Sequence, residues 1–384
     1  MALFCPDRTN PALYTTKDHR IYAKESPELH VDPDDCVVHV RANGIFVPSP
    51  KHDHQMQMGL MSLPFSSSDL HFWKHGSIGE CVVEDDYVLG HEGAGTIVSV
   101  GSNVSGLSKG DRVAIEPGVP CGTCALCEDG RYNLCRDVRF SGAPPFHGSI
   151  RRYHVHAAKF LHKLPANLTF TDGALLEPLS VVLHAFNRSP SRIGDPVLIC
   201  GAGPIGLIAL AVARATCAYP IVITDVDEKR LEFAKSFVPQ CEVFHISTST
   251  AVEAVAEEIK RVFTDKLGTQ QPQIVYECTG VQSSINTAAY SAARGGQVMV
   301  VGVGRPILDG FPFMHCSMSE IDIKFINRYH HTWPSAIRLL SAGYIDLKPL
   351  VTKTFKLEEA VSALESAAGR VDATVKIHIV DDPL

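Results

Sequence analysis

No stretch of this sequence is apolar for long enough to cross a bilayer. The best candidate, Gly206–Ala215, is interrupted by Arg214 and falls well short of the ~20 residues a spanning helix needs. The opening MALFCPDRTNPALYTTKD has no basic segment followed by an apolar one, so no secretory signal is expected. There is no block of like charge, no internal repeat and no low-complexity tract, which argues against an interaction tail or a repeat array. A net charge of −7 gives no electrostatic reason to expect a nucleic-acid partner.

What is present is the composition of an ordinary globular enzyme-sized chain. Hydrophobic residues make up 45% and charged residues 20%, as in soluble domains generally. A length of 384 residues suggests two domains at ~100–200 residues each. Twelve cysteines would suit a secreted disulfide scaffold, but four of them cluster and the others are scattered, several inside apolar runs. That distribution favours reduced thiols plus a metal site, and hence a cytoplasmic protein.

The rhythm of the chain changes along its length. CVVHVRANGI, AGTIVSVGS and GDRVAIEPG read as short strands bounded by glycine and proline. From about Leu179, the runs VLIC, PIVITD, IVYEC and QVMVVG alternate with helical stretches such as PIGLIALAVARAT and EKRLEFAKSF. Strand–helix alternation predicts a doubly wound parallel sheet. The expected fold is α/β: a dinucleotide domain over residues 179–318 inserted into a β-rich domain made of residues 1–178 and 319–384. Residues Phe46–Phe65, FVPSPKHDHQMQMGLMSLPF, fit neither period and hold three of the seven methionines; loops of this length are uncommon inside compact domains.

Three constellations carry chemistry. Gly201, Gly203 and Gly206 in VLICGAGPIG have G-x-G-x-x-G spacing directly after an apolar strand, with Pro204 and Ile205 opening the next helix. The glycines allow a tight turn, approach to a pyrophosphate and close helix packing, and the helix N-terminus offers amide donors to phosphate. Asp225 ends the second strand, IVITD, where a carboxylate accepts from a ribose 2′-hydroxyl and repels a 2′-phosphate; NAD is therefore expected over NADP. Cys121, Cys124, Cys127 and Cys135 follow C-x2-C-x2-C-x7-C spacing, which can close a tetrahedral structural zinc shell over about 118–138; a disulfide or an iron–sulfur cluster is the competing reading. The third constellation is dispersed: SSSDLHFWKHG, then GHEGAG with adjacent His91 and Glu92, then LLEPLSV with Glu177. Singly each has an ordinary reading, such as a surface histidine or a helix-opening Glu-Pro.

Taken together, GHEGAGTIVSVG, GDRVAIEPG, the cysteine lobe, GALLEPLSV, GAGPIG, ECTG, RYHHTWP and the IRRY of Ile150–Tyr153 resemble zinc-dependent medium-chain dehydrogenases. The nearest branch is that of the sorbitol, xylitol and fungal L-arabinitol dehydrogenases. The resemblance covers the chain from the thirties to the C-terminus. It implies a GroES-like catalytic domain, a Rossmann domain, and a homotetramer that oxidises a polyol to a ketose with NAD. It further implies His91, Glu92 and Glu177 around a catalytic zinc, and Ser68 as a proton-relay hydroxyl, with the proton passing outward through the cofactor ribose and His75. Arg328 and Tyr329 would lie near substrate and nicotinamide, with Asp225 and Arg230 at the adenosine ribose.

One departure matters. The family pattern places a zinc-binding cysteine after Gly-Ile, but here Gly44-Ile45 leads into the anomalous segment and Ser66 stands in the cysteine position. A neutral hydroxyl is a poorer zinc ligand than a thiolate, so the catalytic zinc is expected to be held less well. Either the extra residues come from a retained intron, or they are a genuine insertion in which His52 or His54 replaces the ligand. Two other classes stay open on the residues: a zinc-independent quinone or enoyl reductase on the same fold, and a catalytically impaired NAD-binding protein.

Overall fold

The computed structural model describes residues 2–4, 6–47, 68–369 and 374–381. They form two compact units: residues 2–47, 68–180 and 330–381 make one, and Val181–Tyr329 the other.

The first unit is organised on a single long strand, Asp35–Phe46, buried along almost its whole length. On one edge it pairs antiparallel with Gly93–Val100. On the other edge Tyr153–Ala157 takes its first half and Lys376–Val380 its second. Arg112–Ile115 and Leu161–Lys163 extend the sheet beyond Gly93–Val100, and Val351–Lys356 pairs parallel with Lys376–Val380 at the far side. A strand covered on both edges and both faces reads as an apolar run rather than an alternating one, which is why DCVVHVRANGIF carries three valines, an isoleucine and a phenylalanine. Leu13, Ile45, Trp73 and Ile377 pack with the helix Ala360–Gly369, whose Ala360, Ala363, Leu364 and Ala367 recur at helical spacing. Cys36, Val38, Ile97 and Val113 form a separate cluster towards the other end of the strand.

A buried ion network fastens the strand that follows residue 375 to this sheet. Arg152 donates to both carboxylate oxygens of Asp381, at 2.7 and 3.1 Å, and His39 Nε2 lies 2.7 Å from Oδ2. Burial by itself would raise the Asp381 pKa, but His39 and Arg152 outweigh it and hold the carboxyl well below the usual range.

The second unit is a six-stranded sheet in the order Glu242–His245, Ile221–Asp225, Val197–Cys200, Ile274–Glu277, Gln297–Val300 and Asp322–Phe325. Every pairing is parallel, and the order is the 3-2-1-4-5-6 of the doubly wound dinucleotide fold. The helices Pro204–Ala215, Glu228–Phe237, Val252–Arg261 and Gln282–Ser291 connect the strands.

Two boundaries differ from the sequence reading. The sheet takes one more strand, Asp322–Phe325, so the second unit continues to Tyr329 rather than stopping at 318. Phe46 and Val47, assigned above to the anomalous segment, belong to the first unit: Phe46 ends the long strand opposite Lys376, and both are buried. Residues 48–65 of that segment lie outside the described residues. Among the described residues no helix is long and apolar enough to cross a membrane.

Removing one partner of a buried ion pair leaves the other uncompensated, so Asp381→Asn is expected to cost roughly 3 kcal/mol at neutral pH. The stabilisation from a depressed carboxyl is complete above the unfolded pKa near ~4 and is lost as pH falls towards the folded value. Denaturant unfolding should therefore show the two proteins converging in acid; a constant difference down to the lowest pH would contradict the assignment.

Candidate functional site

His91 and Glu92 sit on the turn before Gly93–Val100, and the chain can only make that turn with glycine at position 90. Gly90 has φ +98, and a Cβ there would lie 2.4 Å from Ile150 Cγ1. Glu177 comes from a different part of the chain. The short helix Phe170–Ala174 is opened by a Thr169–Asp172 capping box, and the next helix, Leu176–Arg188, carries Glu177 in its first turn. Pro178 is tolerated there because first-turn amides have no intrahelical acceptor. Leu175, Leu176 and Leu179 are wholly buried, which fixes the helix and aims the carboxylate inward.

The structure brings His91, Glu92 and Glu177 together: one ligating atom from each lies within 4.8 Å of the others, and all three residues are buried. Glu92 Oε1 has no hydrogen-bond partner among the described residues, and Oε2 has only the charge of Lys376 beside it. Buried polar atoms left without partners are costly, and a nitrogen with carboxylate oxygens around one point is a donor set suited to zinc. Asp69 stands behind the histidine, with Oδ2 3.6 Å from His91 Nδ1, while Oδ1 accepts from the Gly90 amide at 2.8 Å. Burial disfavours a charged His91, but Asp69, then Glu177 and Glu92, reverse this and push its pKa up to about 9. The spot is built to stabilise positive charge.

Asp69 lies on the helix Ser68–His75. Ser68 begins that helix and His75 ends it, about 10 Å apart at 1.5 Å per residue, so a relay between them needs a group in between. His71 stands between them, one turn from Ser68, with its ring centroid 4.7 Å from that of His75. Burial, then His75, lowers the His71 pKa to about 4, which keeps it neutral near pH 7. Sequence reasoning missed Asp69 and His71 as site residues. The signal was present in SDLH, one turn of helix starting at the serine.

The four lobe cysteines are also brought together. Cys121 and Cys127 sulfurs are 3.9 Å apart, and Cys124 and Cys127 sulfurs 3.5 Å. These are far from disulfide lengths and close to the ~3.8 Å edge of a tetrahedron with ~2.3 Å zinc–sulfur arms. Backbone amides of Thr123 and Cys124 point at the Cys121 sulfur and lower its pKa to about 6, favouring the thiolate that binds metal.

In the second unit, Gly201 follows the first strand at φ +100. Gly203 caps the helix Pro204–Ala215, with Pro204 at its first position and Ile205 next. A Cβ on Gly206 would fall 1.8 Å from the Gly201 carbonyl oxygen, so the third glycine is there for helix–strand packing. Asp225 Oδ2 accepts from the Ala202 amide at 2.7 Å and Oδ1 from Asp227 at 2.9 Å, which locks the carboxylate beside the glycine turn. Arg230 Nη1 would be 3.3 Å from a Cβ on Gly203, placing its guanidinium over the same turn. A cavity of about 220 Å³ opens here, lined by Gly201, Asp225, Ile246, Ser247, Thr279 and Ser284. Thr279 was legible only as part of ECTG, and Ser247 and Ser284 were not singled out in the sequence, because isolated serines carry no distinguishing spacing. Arg328 and Tyr329 follow the last strand; Arg328 has φ +53 and Tyr329 is buried. Ser66, His52 and His54 lie outside the described residues.

With this geometry in place, the comparisons are direct. The alcohol dehydrogenase GroES-like domain matches residues 52–166, and the zinc-binding dehydrogenase domain matches residues 204–342. The chain belongs to the zinc-binding alcohol dehydrogenase family. It is 43% identical to an L-arabinitol 4-dehydrogenase of Aspergillus oryzae, over 98% of this chain and 96% of the relative. It is 41% identical to a sorbitol dehydrogenase of Bos taurus, over 88% of this chain and 92% of that one. A crystal structure of an oxidoreductase/dehydrogenase of unknown specificity from Escherichia coli matches with a TM-score of 0.83 at 29% identity, covering 98% of this chain and all of that one.

Binding of a structural metal is coupled to folding. Cys124→Ser should therefore lose about one zinc per chain and melt earlier, measured by metal analysis and thermal unfolding. A variant with full metal content and unchanged melting would remove the lobe from the account.

Proposed function

We propose that this protein oxidises a polyol of the L-arabinitol, xylitol or sorbitol type to a ketose, with NAD as hydride acceptor and zinc at His91, Glu92 and Glu177. The observation that carries this reading is the buried convergence of those three side chains, whose ligating atoms lie within 4.8 Å of one another. The L-arabinitol and sorbitol dehydrogenases that the chain resembles support a sugar alcohol as substrate. Seven of the eleven described cysteines lie outside the lobe as unpaired thiols, which supports a cytoplasmic setting, and the tetramer of polyol dehydrogenases belongs to the same proposal.

Zinc held in this site supplies Lewis acidity towards a substrate hydroxyl, and NAD supplies the ring that takes up hydride. The chain's own residues do the rest. His91, Glu92 and Glu177 hold the ion, and Asp69 orients the His91 ring. Ser68 accepts the hydroxyl proton as it gives its own to His71, His71 hands a ring proton on to His75, and exposed His75 releases one to solvent. Arg328 and Tyr329 are assigned to the remaining hydroxyls, since a site that rejects apolar alcohols needs paired polar groups. Asp225 accepts from the adenosine ribose, Arg230 covers the glycine turn, and the four lobe cysteines hold a structural zinc.

Ser66 occupies the position that the family pattern gives to a thiolate, so this site binds zinc less tightly than one with cysteine. Protein purified without added zinc should carry about one ion per chain, in the lobe, and reduce NAD slowly with C5 and C6 polyols. Zinc supplementation or Ser66→Cys should raise both metal content and turnover. Full activity with one zinc would sink the catalytic-metal reading; zinc-independent reduction of a quinone or enoyl substrate would favour the other dehydrogenase class.

Cofactor choice gives a separate check. Asp225→Ser with a neighbouring arginine should relax or reverse the preference for NAD over NADP. Unchanged discrimination between the two would remove Asp225 from the ribose site.

A further inference from the structure

We infer that Lys376 is a positioning residue of the metal centre: its ammonium group competes with the ion for Glu92 and so limits how tightly the site binds metal. The inference rests on the reading of His91, Glu92 and Glu177 as metal ligands.

Lys376 opens the strand Lys376–Val380, directly opposite Phe46 at the end of the long strand. Its side chain is fully buried, and so is that of Glu92; Nζ lies 2.5 Å from Glu92 Oε2. The ammonium also rests over the Phe46 ring, 3.6 Å from its centroid. The approach is close but not aligned as a hydrogen bond, and neither Lys376 Nζ nor either Glu92 oxygen has a hydrogen-bond partner among the described residues. Gly44 makes the meeting possible. A Cβ there would lie 1.9 Å from Glu92 Oε2 and 2.9 Å from Lys376 Cε, so only a glycine leaves room for carboxylate and ammonium to meet beneath the strand.

Packing does not explain a lysine here. Lysine is almost never fully buried unless paired, and a buried ion pair is weak evidence of stability, since an apolar residue of similar size usually serves as well. The charge has a use at the metal centre, where Asp69, Glu92 and Glu177 bring three carboxylates around one imidazole. Without a cation from elsewhere, that concentration of negative charge would be severely destabilising in the metal-free protein. Lys376 supplies part of the balance permanently. Once the ion is present the same charge works against it, by drawing on Glu92 and by repelling a second cation held on the same carboxylate. The result is a site that folds without metal and binds it less tightly than its ligands alone would allow.

The test uses the full chain with Lys376→Met, of similar length and no charge, and Lys376→Arg, which keeps the charge. Zinc alone is titrated into metal-stripped protein against a chromophoric chelator, with the catalytic site defined as the binding lost in His91→Ala. Thermal unfolding is recorded for stripped and zinc-loaded forms of each. Lys376→Met should bind catalytic-site zinc roughly tenfold more tightly, and the gap between its loaded and stripped melting temperatures should widen, while Lys376→Arg stays near the parent. Lys376→Gln, neutral but still a donor to Glu92, carries the same expectation if the methionine variant does not accumulate. Unchanged or weaker zinc binding in the neutral variants, with both forms melting earlier by the same amount, would show a purely structural lysine and overturn the inference. If the parent protein itself shows no His91-dependent zinc, the metal reading fails and this role fails with it.

Discussion

Three carboxylates, those of Asp69, Glu92 and Glu177, converge on His91 in the interior of the first unit, and much of that unit can be understood as what keeps them there. Charges removed from water are tolerated only when paired or bound to a metal. Asp69 spends one oxygen on the Gly90 amide and turns the other to His91. Glu92 meets Lys376, and Glu177 is delivered by a helix seated on buried leucines. The first two arrangements each need a backbone feature that no side chain could replace: the left-handed Gly90 and the bare Gly44. With no ion bound, this cluster of charges is already a constraint on the fold.

That constraint is met by one strand. Asp35–Phe46 provides Gly44 and Phe46 to the lysine–glutamate pair, and it is flanked by Gly93–Val100, which follows His91 and Glu92, and by Lys376–Val380. Residues more than 280 positions apart in the chain therefore meet at a single register. The Arg152–Asp381–His39 network fastens the end of Lys376–Val380 to the same sheet, so a slip in that strand would carry Lys376 away from Glu92. In this sheet, stability and the chemistry of the site depend on the same pairing.

How much of this could be read from the sequence differs between the units. The four central strands of the second unit are buried on both faces and stand out as VLIC, IVITD, IVYE and QVMV. The outer strands Glu242–His245 and Asp322–Phe325 do not, because they are partly exposed and have no sustained period. The glycine turn, Asp225 and the cysteine lobe were legible because their chemistry depends on short spacings. His91, Glu92 and Glu177 were legible only jointly and through resemblance. Asp69, His71 and Lys376 acquire their roles from neighbours distant in sequence or from helix geometry. Lys376 also misleads: in VKIHIV the lysine and histidine alternate with apolar residues, the pattern of a strand with one wet face, yet both polar side chains are fully buried. A polar residue that alternation assigns to solvent was the signal, and only the tertiary structure reveals that it is inside.

The central claim is that this chain holds two chemically distinct metal centres, one of sulfur and one of nitrogen and oxygen. X-ray absorption at the zinc edge on zinc-saturated protein tests it most directly. The account predicts two classes of first-shell scatterer: sulfur at ~2.3 Å from the cysteine lobe, and nitrogen and oxygen at ~2.0–2.2 Å from His91, Glu92 and Glu177. A first shell of sulfur alone, at saturating zinc, would contradict it.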